Sequence, residues 1–177
     1  MSTLFSTITI RSFLSDTNFF IQSHRERYPL DVAKSFWEKV KTLVREQKII
    51  SIDKVKDEIY CKEDKIKQWC VENLPDNFFL DTKTQEIMQQ YSKVINWANS
   101  MRSQYTDKAI EEFSEYKNAD AWLIVFALTD IDKFTIVTYE ASAPHSKITI
   151  KIPDVCNHFG VKYVNVVGMF RQIGETF

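Results

Sequence analysis

The spacing of apolar residues predicts short strands that alternate with helices. Residues 8–15 are a short apolar and β-branched run, which suits a strand buried in a parallel sheet. Residues 49–51 and 134–138 form two more runs of this kind, and residues 163–167 are the last strand candidate. Between these runs, apolar residues recur every three or four positions, as in an amphipathic helix.

Three segments are predicted to be helical from their apolar residues. The first follows Pro29 and has Asp31 as its candidate N-terminal cap. Its apolar residues are Val32, Phe36, Trp37, Val40, Leu43 and Val44. The second extends from Val55 to Cys70 and stops before a proline. Residues 121–128, AWLIVFAL, are apolar on every side, so we expect a helix that is buried inside the domain.

The alternation of strands and helices is typical of the α/β class, and it predicts a three-layer α/β/α sandwich with a central parallel sheet. We expect one domain over residues 1–177, because this length and a hydrophobic content of 44% suit a single sizeable core. Residues 81–116 are polar but keep apolar side chains on one face, so we interpret them as an inserted helical arm.

The composition argues against several classes of protein. A formal net charge of −1 is not that of a dedicated nucleic-acid-binding domain, although a local basic surface is compatible with it. Cys61, Cys70 and Cys156 lack CxxC spacing, so we expect reduced thiols in a cytoplasmic protein, with neither disulfides nor a zinc site. The sequence contains no apolar run of the roughly 20 residues that a membrane span needs, and we expect neither a secretory signal nor a membrane partner.

Two acidic residues stand where predicted strands end. In the stretch FLSDTNFFI, residues 13–21, polar side chains interrupt an apolar run, and Asp16 directly follows the first strand. Glu140 follows the strand at residues 134–138 by two positions. Because the carboxyl ends of parallel strands meet at one edge of a sheet, where α/β proteins bind ligands, we expect Asp16 and Glu140 at the same edge.

Helical positions supply further candidate acids. Asp120 begins the buried helix and lies on an interior face, where the helix N-terminus favours a carboxylate. Glu58 lies at the margin of the apolar stripe of its helix, and Glu63 flanks the same stripe from the other side, so helical geometry does not choose between them. Asp154 follows Pro153 and is either a fifth pocket acid or the cap of a short helix.

Carboxylates that face one cleft repel one another unless a divalent cation neutralises them. Oxygen-only ligands, without His or Cys at metal spacing, favour Mg²⁺ or Mn²⁺ over zinc. The matching reaction is metal-assisted hydrolysis of a phosphodiester by water. Thr17 and Asn18 would then hydrogen-bond Asp16, the water or a phosphate oxygen, although these three residues also suit a turn that caps a helix near Phe19.

Four short motifs resemble, in order, the acidic motifs of PIN-domain nucleases. They are Ser15-Asp16-Thr17-Asn18, Asp57-Glu58-Ile59, Ala119-Asp120-Ala121-Trp122-Leu123-Ile124 and Val137-Thr138-Tyr139-Glu140. A longer pattern, formed by Pro29 with Phe36-Trp37 and by the runs SAPHSK and KIPDVC, is similar to a PIN-like branch whose function is not well characterised. The resemblance covers most of the chain. It implies the α/β/α fold, dependence on Mg²⁺ or Mn²⁺ and cleavage of RNA, commonly by the toxin of a toxin–antitoxin pair.

The leading hypothesis is therefore a cytoplasmic, metal-dependent endoribonuclease. Its predicted catalytic and metal-binding residues are Asp16, Glu58, Asp120 and Glu140, with Asp154 as a further candidate ligand. The candidates for a basic rim that contacts the RNA backbone, or for ordinary solvated charges, are Arg25, Arg27, His145 and Lys147. Besides RNA, the candidate partners are an antitoxin protein and a second copy of the chain in a homodimer.

Two other functions fit parts of the sequence. PIN nucleases usually have Asp where this chain has Glu140, whose side chain is one methylene longer, and this difference predicts a weak or absent second metal site. Together with the near-neutral charge, it motivates a catalytically silent PIN-like scaffold that binds RNA or a protein partner. A phosphoacceptor receiver domain also has acids at strand ends, but it needs an acidic pair that Ser15-Asp16 does not provide.

Overall fold

Five parallel strands form the centre of the fold in the computed structural model, which describes residues 11–177. They are β1 (Ser12–Ser15), β2 (Ile49–Ile52), β3 (Phe79–Leu80), β4 (Phe134–Val137) and β5 (Lys162–Val164). Their spatial order is β3-β2-β1-β4-β5, and each neighbouring pair runs parallel. Every residue of β1, β2 and β4 is buried, as expected for strands covered on both faces.

Helices flank the sheet and make the structure a three-layer α/β/α sandwich, as predicted. Those within the described residues are α1 (Thr17–Gln22), α2 (Lys34–Arg45), α3 (Asp53–Tyr60), α4 (Lys65–Asn73), α5 (Gln85–Ser100), α6 (Asp107–Ser114), α7 (Ala119–Ala127), α8 (Ile152–Phe159) and α9 (Val166–Ile173). A π-helical turn at Ser23–Arg27 continues α1, and a 3₁₀ turn at Asp76–Phe78 leads into β3. None of the helices between residues 11 and 177 is long and apolar enough to cross a membrane.

The order of the strands reverses at the centre of the sheet. From β1 the chain proceeds outwards through β2 to β3, and it then returns to β4 on the other side of β1. Ser15 is paired with Val137, so β1 and β4 end at the same level. Such a switch point, at the carboxyl edge of the sheet, is where doubly wound α/β proteins bind their ligands.

Helix α7 lies in the core, as the apolar run at residues 121–128 predicts. All of its residues except Asp120 are buried, and Trp122 is fully buried. The ring of Tyr91, from α5, stacks on Trp122 with 4.2 Å between ring centroids. The predicted helical arm at residues 81–116 contains α5 and α6, and it packs on the helix that carries Asp120.

The helix after Pro29 begins later than its pattern predicts. Its N-cap residue is Ala33, which has no polar side chain to cap it, so the prediction of Asp31 as the cap is wrong. Val32 is 77% exposed and does not belong to the apolar face. The other predicted apolar residues of this helix are buried, because α2 packs that face against β2.

The second predicted helical segment is divided in two. A turn separates α3 from α4, and Asp64 caps α4 by accepting hydrogen bonds at 3.0 Å from the backbone N–H groups of Ile66 and Lys67. Glu58 therefore belongs to α3, whereas Glu63 lies in the turn before α4. The two acids do not flank the stripe of one continuous helix.

Both the first and the last strand differ from their predicted bounds. β1 begins at Ser12, and residues 8–10 of the predicted first strand lie outside the described residues. The last strand ends at Val164, before the end of the predicted run. The chain turns there because Asn165 caps α9, its Oδ1 accepting a hydrogen bond from the Gly168 N–H at 2.7 Å.

Candidate active site

Asp16 lies between the ends of the two central strands and is 1% exposed. Its backbone N–H donates a hydrogen bond to the carbonyl of Val137, the last residue of β4, at 3.2 Å. Its Oδ1 accepts a hydrogen bond from the Phe19 N–H at 2.6 Å and so caps α1. Its Oδ2 accepts a hydrogen bond from the Thr138 hydroxyl, also at 2.6 Å. Asp16 is therefore both a helix cap and a buried acid at the switch point of the sheet.

Thr138 joins Asp16 to Glu140. Its buried hydroxyl donates to the carboxylate of Asp16 and accepts a hydrogen bond from the Glu140 N–H at 3.0 Å. The acid after β1 and the acid after β4 thus lie at the same edge of the sheet, and one hydroxyl group fixes their relative position.

Glu58 joins the start of α1 to the start of α7. Its Oε2 accepts a hydrogen bond from the Thr17 hydroxyl, and its Oε1 accepts one from the Ala119 N–H at 2.9 Å. Thr17 and Ala119 directly adjoin Asp16 and Asp120 in the chain. Glu58, the acid of the second motif, is therefore hydrogen-bonded to residues of both the first and the third motif.

Asp120 lies in the first turn of α7 without capping it. The cap is Asn118, whose Oδ1 accepts a hydrogen bond from the Asp120 N–H at 2.8 Å. Asp120 is partly buried, and its carboxylate accepts no hydrogen bond from any residue between 11 and 177. Among the described acids of this cluster, its oxygens are the ones available to a ligand.

The carboxylate of Glu140 is held at the N-terminus of α8. Its Oε1 lies 2.8 Å from the Nζ of Lys151, and its Oε2 accepts a hydrogen bond from the Ile152 N–H at 2.9 Å. The side chain of Glu140 is only 12% exposed. An ammonium group and a helix N-terminus therefore compensate its charge inside the protein.

Burial raises the pKa of Asp16 from its ordinary value of 3.8 to about 7. The hydrogen bonds from Thr138 and Phe19 act in the opposite direction, because they favour the charged carboxylate. The negative charges of Glu140 and Glu58 raise the pKa further. Asp16 thus releases its proton close to neutral pH when no cation is bound.

Burial also raises the pKa of Asp120, from 3.8 to about 8. The charges of three acids, Glu140, Asp16 and Glu58, add to this increase. The positive charge of Lys151 lowers it. The four predicted acids therefore act on one another electrostatically, which is the behaviour of one cluster rather than of separate surface groups.

The oxygen-only donors of this cluster suit a hard divalent cation, which would relieve their mutual repulsion. Within residues 11–177, however, no three His, Cys, Asp or Glu side chains are close enough together to hold a metal ion. The oxygens of Asp16, Glu58 and Glu140 are engaged by protein donors. To hold a cation, the cluster would have to exchange these donors for the ion.

Asp154, the fifth candidate acid, lies within α8, and the cap of this helix is Lys151. The alternative prediction of Asp154 as a helix cap is therefore wrong. Its Oδ1 accepts hydrogen bonds from the Ser142 hydroxyl at 2.5 Å and from the Ala143 N–H at 3.1 Å. Asp154 thus fixes the loop that follows Glu140, and its role as a metal ligand stays a prediction.

Thr17 supports a different acid from the one predicted. Its hydroxyl donates to Glu58 and not to Asp16. The amide of Asn18 is partly buried and makes no hydrogen bond within the described residues, so its contact with water or phosphate stays a prediction. Contacts also distinguish Glu58 from Glu63. Glu63 is exposed and pairs with a lysine at the surface.

The predicted basic rim consists of residues with different surroundings. Arg27 lies beside the cluster, with its guanidinium carbon 4.7 Å from the centre of the Tyr139 ring. Arg25 is 57% exposed and lies 3.9 Å from the carboxylate that caps α4. His145 and Lys147 are exposed in the loop that precedes α8. Contact with Tyr139, which lies between two residues of the network, distinguishes Arg27 from Arg25.

The sequence patterns do not identify Thr138 and Lys151 as site residues, although both belong to runs that carry the PIN resemblance. Thr138 bonds to Asp16 across 122 positions of the chain, and Lys151 pairs with Glu140 across 11. A threonine at a strand end and a lysine before a helix are common in many loops. Their role depends on partners that only the folded chain brings near.

A family model described as a domain of unknown function, DUF4411, matches residues 13–177, which include all four acids of the cluster. No curated protein matches the chain. The family match therefore covers nearly all of the described structure, and the function has to be inferred from the geometry of the site.

Replacing Thr138 by Val should destabilise the protein by about 1–3 kcal/mol, because a buried carboxylate loses a hydrogen-bond donor. Thr138→Ser keeps the hydroxyl and should retain most of the stability. Thr135→Val removes another buried hydroxyl, from the strand that ends directly before Thr138, and is the matched control. Urea unfolding above the pKa of Asp16, which is about 7, measures the effect. Equal losses in Thr138→Val and Thr135→Val would contradict the role of Thr138.

Without added metal, the free energy of unfolding should fall by a few kcal/mol as the pH rises through about 6 to 8.5. In this range the unfolded chain has already lost the protons of Asp16 and Asp120, whereas the folded protein still binds them. Each increase in pH therefore favours the unfolded state. Asp16→Asn and Asp120→Asn should each flatten the profile, because an amide does not ionise.

The matched control for this pH profile is Asp31→Asn, which alters an exposed acid outside the cluster. Urea unfolding in the presence of a chelator measures the free energy of unfolding of the wild type and of each variant at each pH. A double variant, Asp16→Asn with Asp120→Asn, that kept the slope of the wild-type profile would show that these carboxyls do not retain their protons near neutrality.

Proposed function

The chain belongs to the DUF4411 family, and we propose that it is a metal-dependent endoribonuclease that hydrolyses phosphodiester bonds of RNA. The observation that carries this proposal is the hydrogen-bonded network that connects the four acidic motifs at the switch point of the sheet. That edge is where open α/β sheets bind their ligands. The order of the motifs along the chain also resembles that of PIN nucleases.

Asp16 and Asp120 are the residues that would hold Mg²⁺ or Mn²⁺, and Glu58 and Glu140 would complete the oxygen ligands after exchanging their present partners. When bound, the ion supplies acidity to a water molecule and neutralises charge on the phosphate oxygens. The protein's own part is to orient these carboxylates. The hydroxyl of Thr138 donates a hydrogen bond to the Oδ2 of Asp16, so the protein itself, and not solvent, fixes the orientation of this carboxylate.

The raised pKa values support hydrolysis. The pKa is about 7 for Asp16 and about 8 for Asp120, so both carboxyls can accept and release a proton near neutral pH. Strongly perturbed acids are typical of functional sites, and a bound divalent cation would favour the ionised form of both carboxyls. Acids that serve only solubility are exposed, and they do not undergo such shifts.

Arg27 supports an RNA substrate. It is exposed and forms no ion pair with an acid among the described residues, and it stacks on Tyr139 beside the network. A cavity of about 100 Å³ lies there, lined by Arg27, Tyr28, Tyr139, Asn165 and Val167. A guanidinium group binds phosphate through several N–H donors and also stacks on bases, which suits a flexible single strand.

A catalytically silent scaffold that binds RNA or a protein partner is the second candidate. One observation favours it: the charge of Glu140 is already compensated by Lys151 and by the N-terminus of α8. A scaffold, however, gains nothing from two desolvated acids that lower its stability near neutral pH. We therefore place hydrolysis first.

The biological context belongs to the same proposal. The resemblance to PIN toxins supports a toxin role, an antitoxin partner and a homodimer. Cys61, Cys70 and Cys156 are free thiols, which supports a cytoplasmic location.

Cleavage of a single-stranded RNA should require Mg²⁺ or Mn²⁺ and should fall at least about 100-fold in Asp16→Asn, which loses a charged ligand of the ion. Asn still caps a helix as well as Asp does, so this variant should fold. Glu63→Gln is the matched control and should cleave at the wild-type rate. Gel analysis of end-labelled RNA, with metal or with a chelator, provides the measurement.

Equal cleavage by the wild type, by Asp16→Asn and in chelator would remove the nuclease proposal. The silent scaffold predicts a different set of results. It would bind RNA in chelator, show no cleavage with either ion and show no heat of Mn²⁺ binding that Asp16→Asn abolishes.

Arg27→Ala should weaken binding of single-stranded RNA about tenfold, because one charged hydrogen-bonding group is lost. The dependence of log affinity on log salt should become shallower by about 0.7, the amount for one phosphate contact with a single strand. Arg25→Ala is the control of equal charge. Fluorescence anisotropy in chelator measures binding without cleavage, and equal losses in the two variants would argue against an RNA contact specific to Arg27.

A further inference from the structure

Lys151 places a positive charge inside the carboxylate cluster. Its Nζ lies 2.8 Å from the Oε1 of Glu140, and the two side chains are 33% and 12% exposed. Glu140 is the least exposed acid among the ion pairs of the described residues. Most exposed pairs contribute little to stability, whereas a shielded pair interacts strongly.

This pair is fixed to the network that holds the other acids. The N–H of Glu140 donates to the hydroxyl of Thr138, which in turn donates to Asp16. The other carboxylate oxygen of Glu140 accepts a hydrogen bond from the Ile152 N–H, the residue after Lys151. The ammonium group is therefore attached to the cluster by its own ion pair and by the adjacent backbone.

The charge of Lys151 also reaches an acid that it does not contact. It opposes the effect of Glu140, Asp16 and Glu58 on Asp120, whose carboxylate accepts no hydrogen bond within residues 11–177. One ammonium group thus compensates Glu140 directly and Asp120 through space. A divalent cation in the same cluster would perform the same electrostatic task.

We propose that the ammonium group of Lys151 is the internal counter-ion of this cluster and that a divalent cation binds by displacing it from Glu140. The inference rests on the metal site of the proposed function and adds a competitor to it. Lys151 is then a residue that sets cation affinity, acting through Glu140.

Competition of this kind explains one property of the described structure. No three acids stand close enough together to hold a metal ion, although four of them influence one another. Glu140 is turned towards Lys151 and the N-terminus of α8, and it is thereby withheld from the other carboxylates. Release of Lys151 would free its Oε1 for a cation.

The alternative is that the Lys151–Glu140 pair only fastens the loop before α8. In that case its removal would lower stability and leave cation affinity unchanged or reduced. Competition predicts the opposite change in affinity, so the two explanations can be separated by a binding measurement that does not depend on catalysis.

The experiment is calorimetric titration of the full chain with MnCl₂ at about pH 8, which lies above the pKa of Asp16 and close to that of Asp120, so that few protons have to be released on binding. Lys151→Met should bind Mn²⁺ at least about tenfold more tightly than the wild type, because the competing charge is gone. Lys151→Arg keeps the charge and should not gain affinity. Lys162→Met removes an equal charge from an exposed pair on β5 and should bind like the wild type.

Lys151→Gln is a second variant for the case that Lys151→Met does not fold. Thermal unfolding with and without Mn²⁺ provides an independent measurement. Both neutral variants should have a lower Tm than the wild type without metal and should gain more from Mn²⁺.

The outcomes separate this inference from the proposed function. If the wild type binds Mn²⁺ and the neutral Lys151 variants bind it equally or more weakly, the competition is refuted and the metal site stands. If none of the proteins binds Mn²⁺, both the metal site and the competition fail. If only the neutral Lys151 variants bind it, Lys151 holds Glu140 too firmly for a cation to displace it, and both the displacement and the metal-dependent function of the wild type are overturned.

Discussion

The hydrogen bond from Thr138 to Asp16 holds together the ends of the two central strands, and the rest of the site is arranged around it. A carboxylate removed from solvent costs free energy unless donors compensate it. Thr138 and the N–H of Phe19 supply two donors, yet the pKa of Asp16 remains near 7, so the compensation is incomplete. The neighbouring motifs add negative charge to this position. The carboxyl edge of the sheet, where open α/β sheets generally bind ligands, therefore carries negative charge that the protein compensates only in part.

Local patterns were sufficient to predict the central part of the fold. The buried helix at residues 121–128 follows from a continuous apolar run, which can be satisfied only inside the protein, and the strand at residues 134–138 follows from a short apolar and β-branched run. The position of Asp16 follows from the same reasoning, since a parallel sheet assigns the ends of its strands to one edge. Element ends were less predictable: Asn165 stops the last strand through a single hydrogen bond to Gly168.

The candidate site was only partly predictable, because much of it depends on contacts between distant parts of the chain. Helical geometry could not choose between Glu58 and Glu63, and the choice depends on the backbone N–H of Ala119, which lies 61 positions from Glu58. The same limit applies to Thr138 and Lys151. Neither has a local feature that separates it from ordinary threonines and lysines, and each acquires its role from an acid that folding brings within hydrogen-bond distance.

Asp16 both caps α1 and belongs to the acid cluster, and these two roles affect how relatives of this protein should be compared. Asn and Ser cap a helix as well as Asp does, so folding constrains position 16 to a capping residue whether or not the site is catalytic. Asp120 has no such duty, since Asn118 caps α7 and no described residue donates a hydrogen bond to the Asp120 carboxylate. A buried acid that accepts no hydrogen bond lowers the stability of the protein, so selection is expected to retain it only where it has a function. Under the proposed function, the residue at position 120 is thus a more informative marker of activity among relatives than the residue at position 16.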